Sequence, residues 1–170
     1  MDYFIMKTDK RLHLLPQIEF PKEYAGMETA KPSIVYVKEC AGLRIDYPDY
    51  LEKPFPLIAD KFQKILQKYQ QDMGFWRIML IEKETGQQTP YCLMRPMEII
   101  CADKNQTEYD KKGNVQDFVL DVEKVKGRKI FLAKDYNKQL LVRLDVAESI
   151  LRREANGIWF EPVKVGGRGR

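Results

Sequence analysis

Hydrophobic residues recur with two different periods along this chain, and the change of period marks where helices give way to strands. The segment PLIADKFQKILQKYQQ, residues 56–71, has apolar residues at the three- and four-residue spacing of one helix face. These residues are Ile58, Phe62, Ile65, Leu66 and Tyr69. Pro56 suits the first turn of a helix and Gly74 follows its end. We therefore predict a helix over 56–71 that packs on a sheet.

From residue 75 the apolar period becomes two, which is typical of strands. FWRIMLIE, residues 75–82, places Trp76, Ile78 and Leu80 on one face. A second run covers 91–101 and is broken by Pro96, which cannot donate to a ladder and so marks a strand boundary.

Three further runs follow the polar loop after residue 101, and short polar turns separate them. The first, 116–125, alternates so that Phe118 and Leu120 share one face while Val119 falls on the predicted solvent face. The others cover 128–134 and 139–144. Short strands in series predict an antiparallel meander.

A second helix is predicted after Asp145, with Glu148 three residues later in a capping-box arrangement. Glu148 and Arg152 are spaced to form a favourable pair along the helix. Asn156 and Gly157 end the helix, and IWFEPV, 158–163, returns as a strand. Every charge in this stretch thus has a role in helix stability, and none is left that requires catalysis.

The first 56 residues contain many prolines and turn residues, with short strands expected at 3–6 and 33–37. We predict three segments: an irregular N-terminal lobe at 1–56, a main domain at 57–163 and a flexible tail at 164–170. The predicted fold class is α+β, a mostly antiparallel sheet of five to seven strands with two main helices packed on it.

Composition narrows the functional classes. The net charge of +4 is too small to indicate nucleic acid. No apolar run approaches the roughly 20 residues of a membrane span, and the N-terminus is not a signal peptide, so we expect a cytoplasmic protein with no membrane partner. The three cysteines have no C-x-x-C spacing, which argues against a disulfide framework or zinc site.

Candidate chemistry is sparse, so we expect a protein without enzymatic activity, metal or cofactor. The single histidine, His13, lies between leucines. Acidic residues cluster in and before the loop after residue 101, and an uncharacterised enzyme with a site near Glu98 and Asp103 is one alternative. The cluster is Glu98, Asp103, Glu108 and Asp110. A weak nucleic-acid accessory protein is another alternative, with Lys164, Arg168 and Arg170 as its basic residues.

Aromatic residues offer the partner-binding candidates. Tyr47, Tyr50 and Phe55 lie in DYPDYLEKPF, where they either anchor a partner or cover the core beneath a loop. Trp76 is a candidate only if its strand face is exposed, and alternation places it in the core.

The order of these elements, from LIADKFQKILQKY through FWRIMLIE and VKGRKIFL to ANGIWFEPV, resembles a bacterial family. That family was first catalogued as a domain of unknown function and then as immunity group eleven of the polymorphic toxin systems. The closing GI-aromatic-F-x-P pattern and the G-x-x-IF strand carry the likeness, which covers roughly 57–163.

The resemblance implies a small α+β protein that binds and neutralises a cognate toxin by occluding it. The matching positions are packing and turn positions, so no site residue is carried over. Because inhibitors of basic toxins gain association rate from an acidic surface, the positive charge of this chain predicts a neutral or acidic toxin, or one that is not a nuclease.

Overall fold

The structure is a computed structural model that describes residues 1–22 and 33–166. The fourteen strands of the described residues are β1 Tyr3–Thr8, β2 Ser33–Val37, β3 Tyr50–Leu51, β4 Leu57–Ala59, β5 Gly74–Glu82, β6 Gln88–Arg95, β7 Glu98–Ile99, β8 Glu108–Tyr109, β9 Val115–Asp117, β10 Val119–Leu120, β11 Ile130–Ala133, β12 Gln139–Arg143, β13 Ile158–Pro162 and β14 Lys164–Val165. The same part of the chain forms two α-helices, α1 Gln63–Tyr69 and α2 Leu144–Leu151.

Most of the strands belong to two five-stranded sheets. Sheet A has the order β13-β1-β12-β11-β7, and sheet B has the order β2-β5-β6-β4-β3. Antiparallel pairs predominate, while β2 with β5, β7 with β11 and β10 with β14 are parallel. The α+β class is therefore confirmed, although two sheets stand where one larger sheet was predicted.

The main hydrophobic core joins both sheets to both helices. Sheet A contributes Met6 and Val142, and sheet B contributes Cys92. Leu66 of α1 and Ile150 of α2 complete it, and each is at most 1% exposed. The opposite faces of the sheets have cores of their own, one centred on Phe131 beneath the loops of sheet A and one centred on Leu80 of sheet B.

The predicted helix over 56–71 is wrong in its first half. Leu57, Ile58 and Ala59 form strand β4, which pairs with β6 on one side and β3 on the other. A single 3-10 turn, Asp60–Phe62, then leads into α1. Leu57 and Ile58 are both 0% exposed, and two fully buried neighbours fit a strand covered on both faces as well as a helix stripe. Pairing on both sides overrides the helical period.

The predicted strand over 116–125 is also shorter than expected. It divides into β9 and β10, and a turn follows from residue 121. Phe118 and Leu120 are buried as predicted, but Val119 is only 6% exposed. The loop before β8 covers Val119. The backbone of Val119 forms hydrogen bonds with the hydroxyl of Thr107, and the carbonyl of Val119 also accepts from the N–H of Asp103.

The second helix has the predicted charge pair but not the predicted cap. Arg152 lies 3.4 Å from Glu148 across one turn. The helix begins at Leu144, so Asp145 lies inside it and its carboxylate accepts from the guanidinium of Arg143 at 2.8 and 2.6 Å. The capping box is therefore wrong, because Arg143 occupies the N-cap position and Asp145 lies two positions beyond it.

Segments on both sides of residue 56 share both sheets. Strand β1 lies between β12 and β13 in sheet A, and β2 pairs with β5 in sheet B. The predicted boundary at residue 56 remains a prediction. Lys164 and Val165 of the predicted tail form β14, while residues 167–170 lie outside the described residues.

The connection between α2 and β13 is held by hydrogen bonds and by one close contact. The backbone N–H of Asn156 donates to the carboxylate of Asp49 at 2.6 Å, and Asp49 returns a backbone bond to the carbonyl of Asn156. Lys61 lies 2.9 Å from the same carboxylate. Gly157 follows with a φ of 69° and packs against Pro48. This contact anchors β13 to the loop before β3.

Candidate functional site: a groove between the two sheets

A groove of about 1380 Å³ opens where the two sheets diverge. One wall is the end of β6 with the link to β7, and the other is the β11–β12 hairpin. Residues 12–18 and 52–56 close the remaining sides. Because the walls come from four separate parts of the chain, only the folded protein has this groove.

The floor of the groove is apolar. Leu93, Met94 and Leu140 lie along it, and each is at most 6% exposed. Half-buried Phe55 and Leu132 stand higher on the walls. Phe55 and Leu132 therefore supply apolar surface that a segment of another molecule could bury.

The rim of the groove carries charge of both signs, with a small positive excess. The cations are Lys53, Arg95 and Lys138, and the carboxylates are Glu52 and Glu98. Lys138 lies 2.7 Å from Glu98, so these two charges compensate each other. The carboxylate of Glu52 accepts the backbone N–H of Thr8 at 3.0 Å.

Trp76 supports one of the rim cations. The guanidinium of Arg95 lies over the indole ring at 4.7 Å, which is a favourable cation–π distance. The ring itself sits over Gly74, where a Cβ atom would lie 3.0 Å from it. Trp76 is half-buried on the same strand face as Ile78 and Leu80, as alternation predicted, and its partner-binding role remains a prediction.

The three aromatic candidates of the 47–55 segment lie in different surroundings. Tyr50 is 2% exposed on the groove floor, and burial raises its pKa above the ordinary value. Phe55 stands on the groove wall and packs edge-to-face on Phe20 at 5.1 Å. Tyr47 lies elsewhere, in a polar cavity of about 520 Å³, where its hydroxyl donates to Glu82 at 2.6 Å. Only two of the three therefore belong to the groove.

Tyr47 is held firmly in that second cavity. Burial, together with the hydrogen bond to Glu82, raises the pKa of its phenol. The other oxygen of Glu82 accepts from Thr85 at 2.7 Å. Both carboxylate oxygens are thus used within the protein.

The residues of the enzyme alternative are not gathered at one place. His13 and Glu98 line the groove, but Asp103 does not. The carboxylate of Asp103 instead accepts from the backbone of Asn105 and the side chain of Gln106, both at 2.9 Å. Across residues 1–22 and 33–166, no three His, Cys, Asp or Glu side chains converge as a metal site would require.

The other two acids of that cluster also lie in local structure. Asp110 holds the turn to Asn114, and its hydrogen bonds with Asn114 and Lys112 lower the pKa of its carboxyl. Glu108 lies on the exposed strand β8.

The basic residues of the nucleic-acid alternative are only partly described. Lys164 forms an ion pair with Asp117. Arg168 and Arg170 lie outside the described residues. Among the helices of the described segments, none has the length and apolar character needed to cross a bilayer.

Sequence reasoning missed the most exposed tryptophan. Trp159 of β13 is 53% exposed, and Tyr36 and Tyr109 are also exposed aromatics. The sequence does indicate this exposure, because Trp159 and Glu161 lie on one face of the strand while Ile158 and Phe160 lie on the other. A charged residue in phase with a tryptophan indicates that both face solvent.

The fold and the groove together define an α+β protein with an open apolar groove and a charged rim. A comparison of the chain with models of known protein families gives no match, and no curated protein matches it either. Membership of immunity group eleven thus rests on the sequence resemblance and remains a prediction.

Proposed function

We propose that this chain is a non-enzymatic binding protein, an immunity protein that neutralises a cognate toxin by covering its active site. The groove between the two sheets receives a segment of that toxin. The observation that carries the proposal is the groove itself, with its apolar floor, its charged rim and its size.

The size of the groove favours a polypeptide segment over a small molecule. Small-molecule pockets usually measure about 300–1,000 Å³, and this groove measures about 1380 Å³. An apolar centre with a polar rim is also the usual composition of a protein–protein interface.

The rim charge favours a neutral or acidic partner. Lys53 is exposed, and Arg95 is held in place over Trp76. After Lys138 and Glu98 compensate each other, these two cations and the carboxylate of Glu52 remain, so the rim keeps one net positive charge. A segment with one carboxylate would complement that charge and would associate faster at low salt.

Binding to the product of the neighbouring upstream gene tests the proposal, with two groove variants and two matched controls. Gln139→Trp fills the groove from a half-buried position on its wall, and Gln88→Trp adds the same bulk on an exposed strand position outside it. Lys53→Glu reverses a rim charge, and Lys64→Glu makes the same reversal on the exposed side of α1.

We expect purified wild type, Gln88→Trp and Lys64→Glu to bind that product with the same Kd in calorimetry. We expect Gln139→Trp and Lys53→Glu to bind about tenfold or more weakly, since a blocked or mismatched groove loses at least about 1.4 kcal/mol. Circular dichroism checks that every variant is folded. Equal binding by all four folded variants would show that the groove is not the binding site. No binding by the wild type would show that this gene product is not the partner.

A further inference from the structure

Strand β13 is an edge of sheet A, and the hydrogen bonds at its two ends show which way its backbone faces. Asp9 donates to the carbonyl of Gly157 at 2.9 Å, and Val163 donates to the carbonyl of Tyr3 at 3.0 Å. Odd-numbered residues of β13 therefore bond to β1. In an antiparallel ladder the N–H and C=O of one residue point to the same side. The backbone groups of the even-numbered residues thus point away from β1. These residues are Ile158, Phe160 and Pro162.

Pro162 fits this outward position. A proline facing β1 would leave a gap in the ladder, whereas a proline facing outward leaves it intact. Ile158 and Phe160 keep their outward N–H groups, and within the described residues sheet A has no strand beyond β13. An edge of this kind is a template for another extended strand.

We propose that the outer edge of β13 pairs antiparallel with β13 of a second copy of this chain, centred on Phe160. The two A sheets then join across a two-fold axis. Phe160 exchanges both backbone hydrogen bonds with its symmetry mate, and Ile158 donates to the carbonyl of Pro162 on the second copy. This registry uses every outward N–H that β13 offers.

The side chains on the solvent face complement each other in this registry. Lys7 lies beside Trp159 within one copy and is 2.5 Å from Glu161. The two-fold axis places Trp159 opposite Glu161 of the second copy. Each row across the dimer then runs from lysine to tryptophan to glutamate, so like charges do not face each other.

On the other face, the two Phe160 rings meet at the axis. Phe160 packs on the edge of the main core, next to Met6 on β1. The pairing thus extends an apolar face that each copy already has, and it covers Trp159, which is 53% exposed in a single copy. This self-complementarity identifies a second copy as the occupant.

The contact is a single five-residue strand edge, so we expect a weak dimer in the micromolar range. Sedimentation velocity from micromolar to millimolar concentration measures it. The expected result is a mass that rises from 20.0 kDa towards twice that value. A wild-type chain that stays monomeric over the whole range would overturn the proposal.

Trp159→Glu tests the registry. It places a carboxylate opposite Glu161 of the second copy, and the axis repeats this repulsion, so association should weaken about tenfold or more. Within one copy the new carboxylate lies beside Lys7, so the monomer should stay folded by circular dichroism. Tyr109→Glu is the control, because Tyr109 is an exposed aromatic on β8, outside sheet A.

A mixing experiment separates pairing from a general loss of stability. Glu161→Lys offers a lysine opposite the new glutamate, so a mixture of Trp159→Glu and Glu161→Lys chains should form a heterodimer more readily than either variant self-associates. A Trp159→Glu chain that dimerises like the wild type would refute the registry. Equal loss of the dimer in Tyr109→Glu would also refute it.

Discussion

Gly157 is the position where one added methyl group should do the most damage, because both backbone strain and steric overlap act there. Its φ is 69°, in the left-handed region that costs an L side chain roughly 1–2 kcal/mol. A Cβ atom would also lie 2.4 Å from Cβ of Pro48 and 3.1 Å from its Cα. These proline atoms belong to a rigid ring and backbone that cannot simply rotate away.

We therefore predict that Gly157→Ala lowers the free energy of unfolding by about 2–5 kcal/mol. About 1–2 kcal/mol comes from the strain, and about 1–3 kcal/mol comes from displacing a packed neighbour. Urea denaturation followed by circular dichroism gives this value, and an unchanged m-value would show that the variant still unfolds as one unit.

Gly127→Ala is the matched control. Gly127 has a φ of 80°, but a Cβ atom there would have no neighbour within 4 Å. It should therefore lose only the strain contribution, about 1–2 kcal/mol. Equal losses in the two variants would refute the argument that Pro48 and Gly157 form a close contact that positions β13.

Two further predictions concern titration. Hydrogen bonding from Arg143 lowers the pKa of Asp145 below its ordinary value of 3.8. A lowered carboxyl pKa stabilises the fold above the unfolded value and loses that stabilisation as pH falls through the folded one. Asp145→Asn should therefore be less stable than wild type at pH 7, by less than about 1 kcal/mol because the pair is partly exposed, and urea titrations should converge below about pH 4. For the thiols, burial raises the pKa of Cys92 and of Cys101 to about 12, so Ellman's reagent at pH 8 should label only the half-exposed Cys40 in the native protein. Rapid labelling of all three thiols without denaturant would contradict their burial.

The sequence pattern predicted those strands whose two faces differ. In β5, Ile78 and Leu80 are buried while Arg77, the residue before Ile78, is exposed, and the alternation is visible in the sequence. The alternation pattern failed to predict β4, since Leu57 and Ile58 are buried on opposite faces of a central strand. A short apolar run of that kind fits a strand and a helix equally well.

The groove could not be predicted from any local pattern. Its walls come from residues near Leu15, Phe55, Met94 and Leu140, which only the folding of both sheets brings together. Tyr50 and Phe55 were selected for their residue type, and the structure places both at the groove. Tyr47 was selected on the same grounds and lies in another cavity, since residue type does not specify direction.

Growth rescue tests the central claim most directly. Cells that express the product of the neighbouring upstream gene are co-transformed with the wild type, with Gln139→Trp or with its control Gln88→Trp. The account predicts that this product arrests growth, that the wild type and Gln88→Trp restore it, and that Gln139→Trp does not although it accumulates as a folded protein. Full rescue by folded Gln139→Trp, or a neighbouring product that does not arrest growth, would contradict the claim that the groove neutralises that toxin.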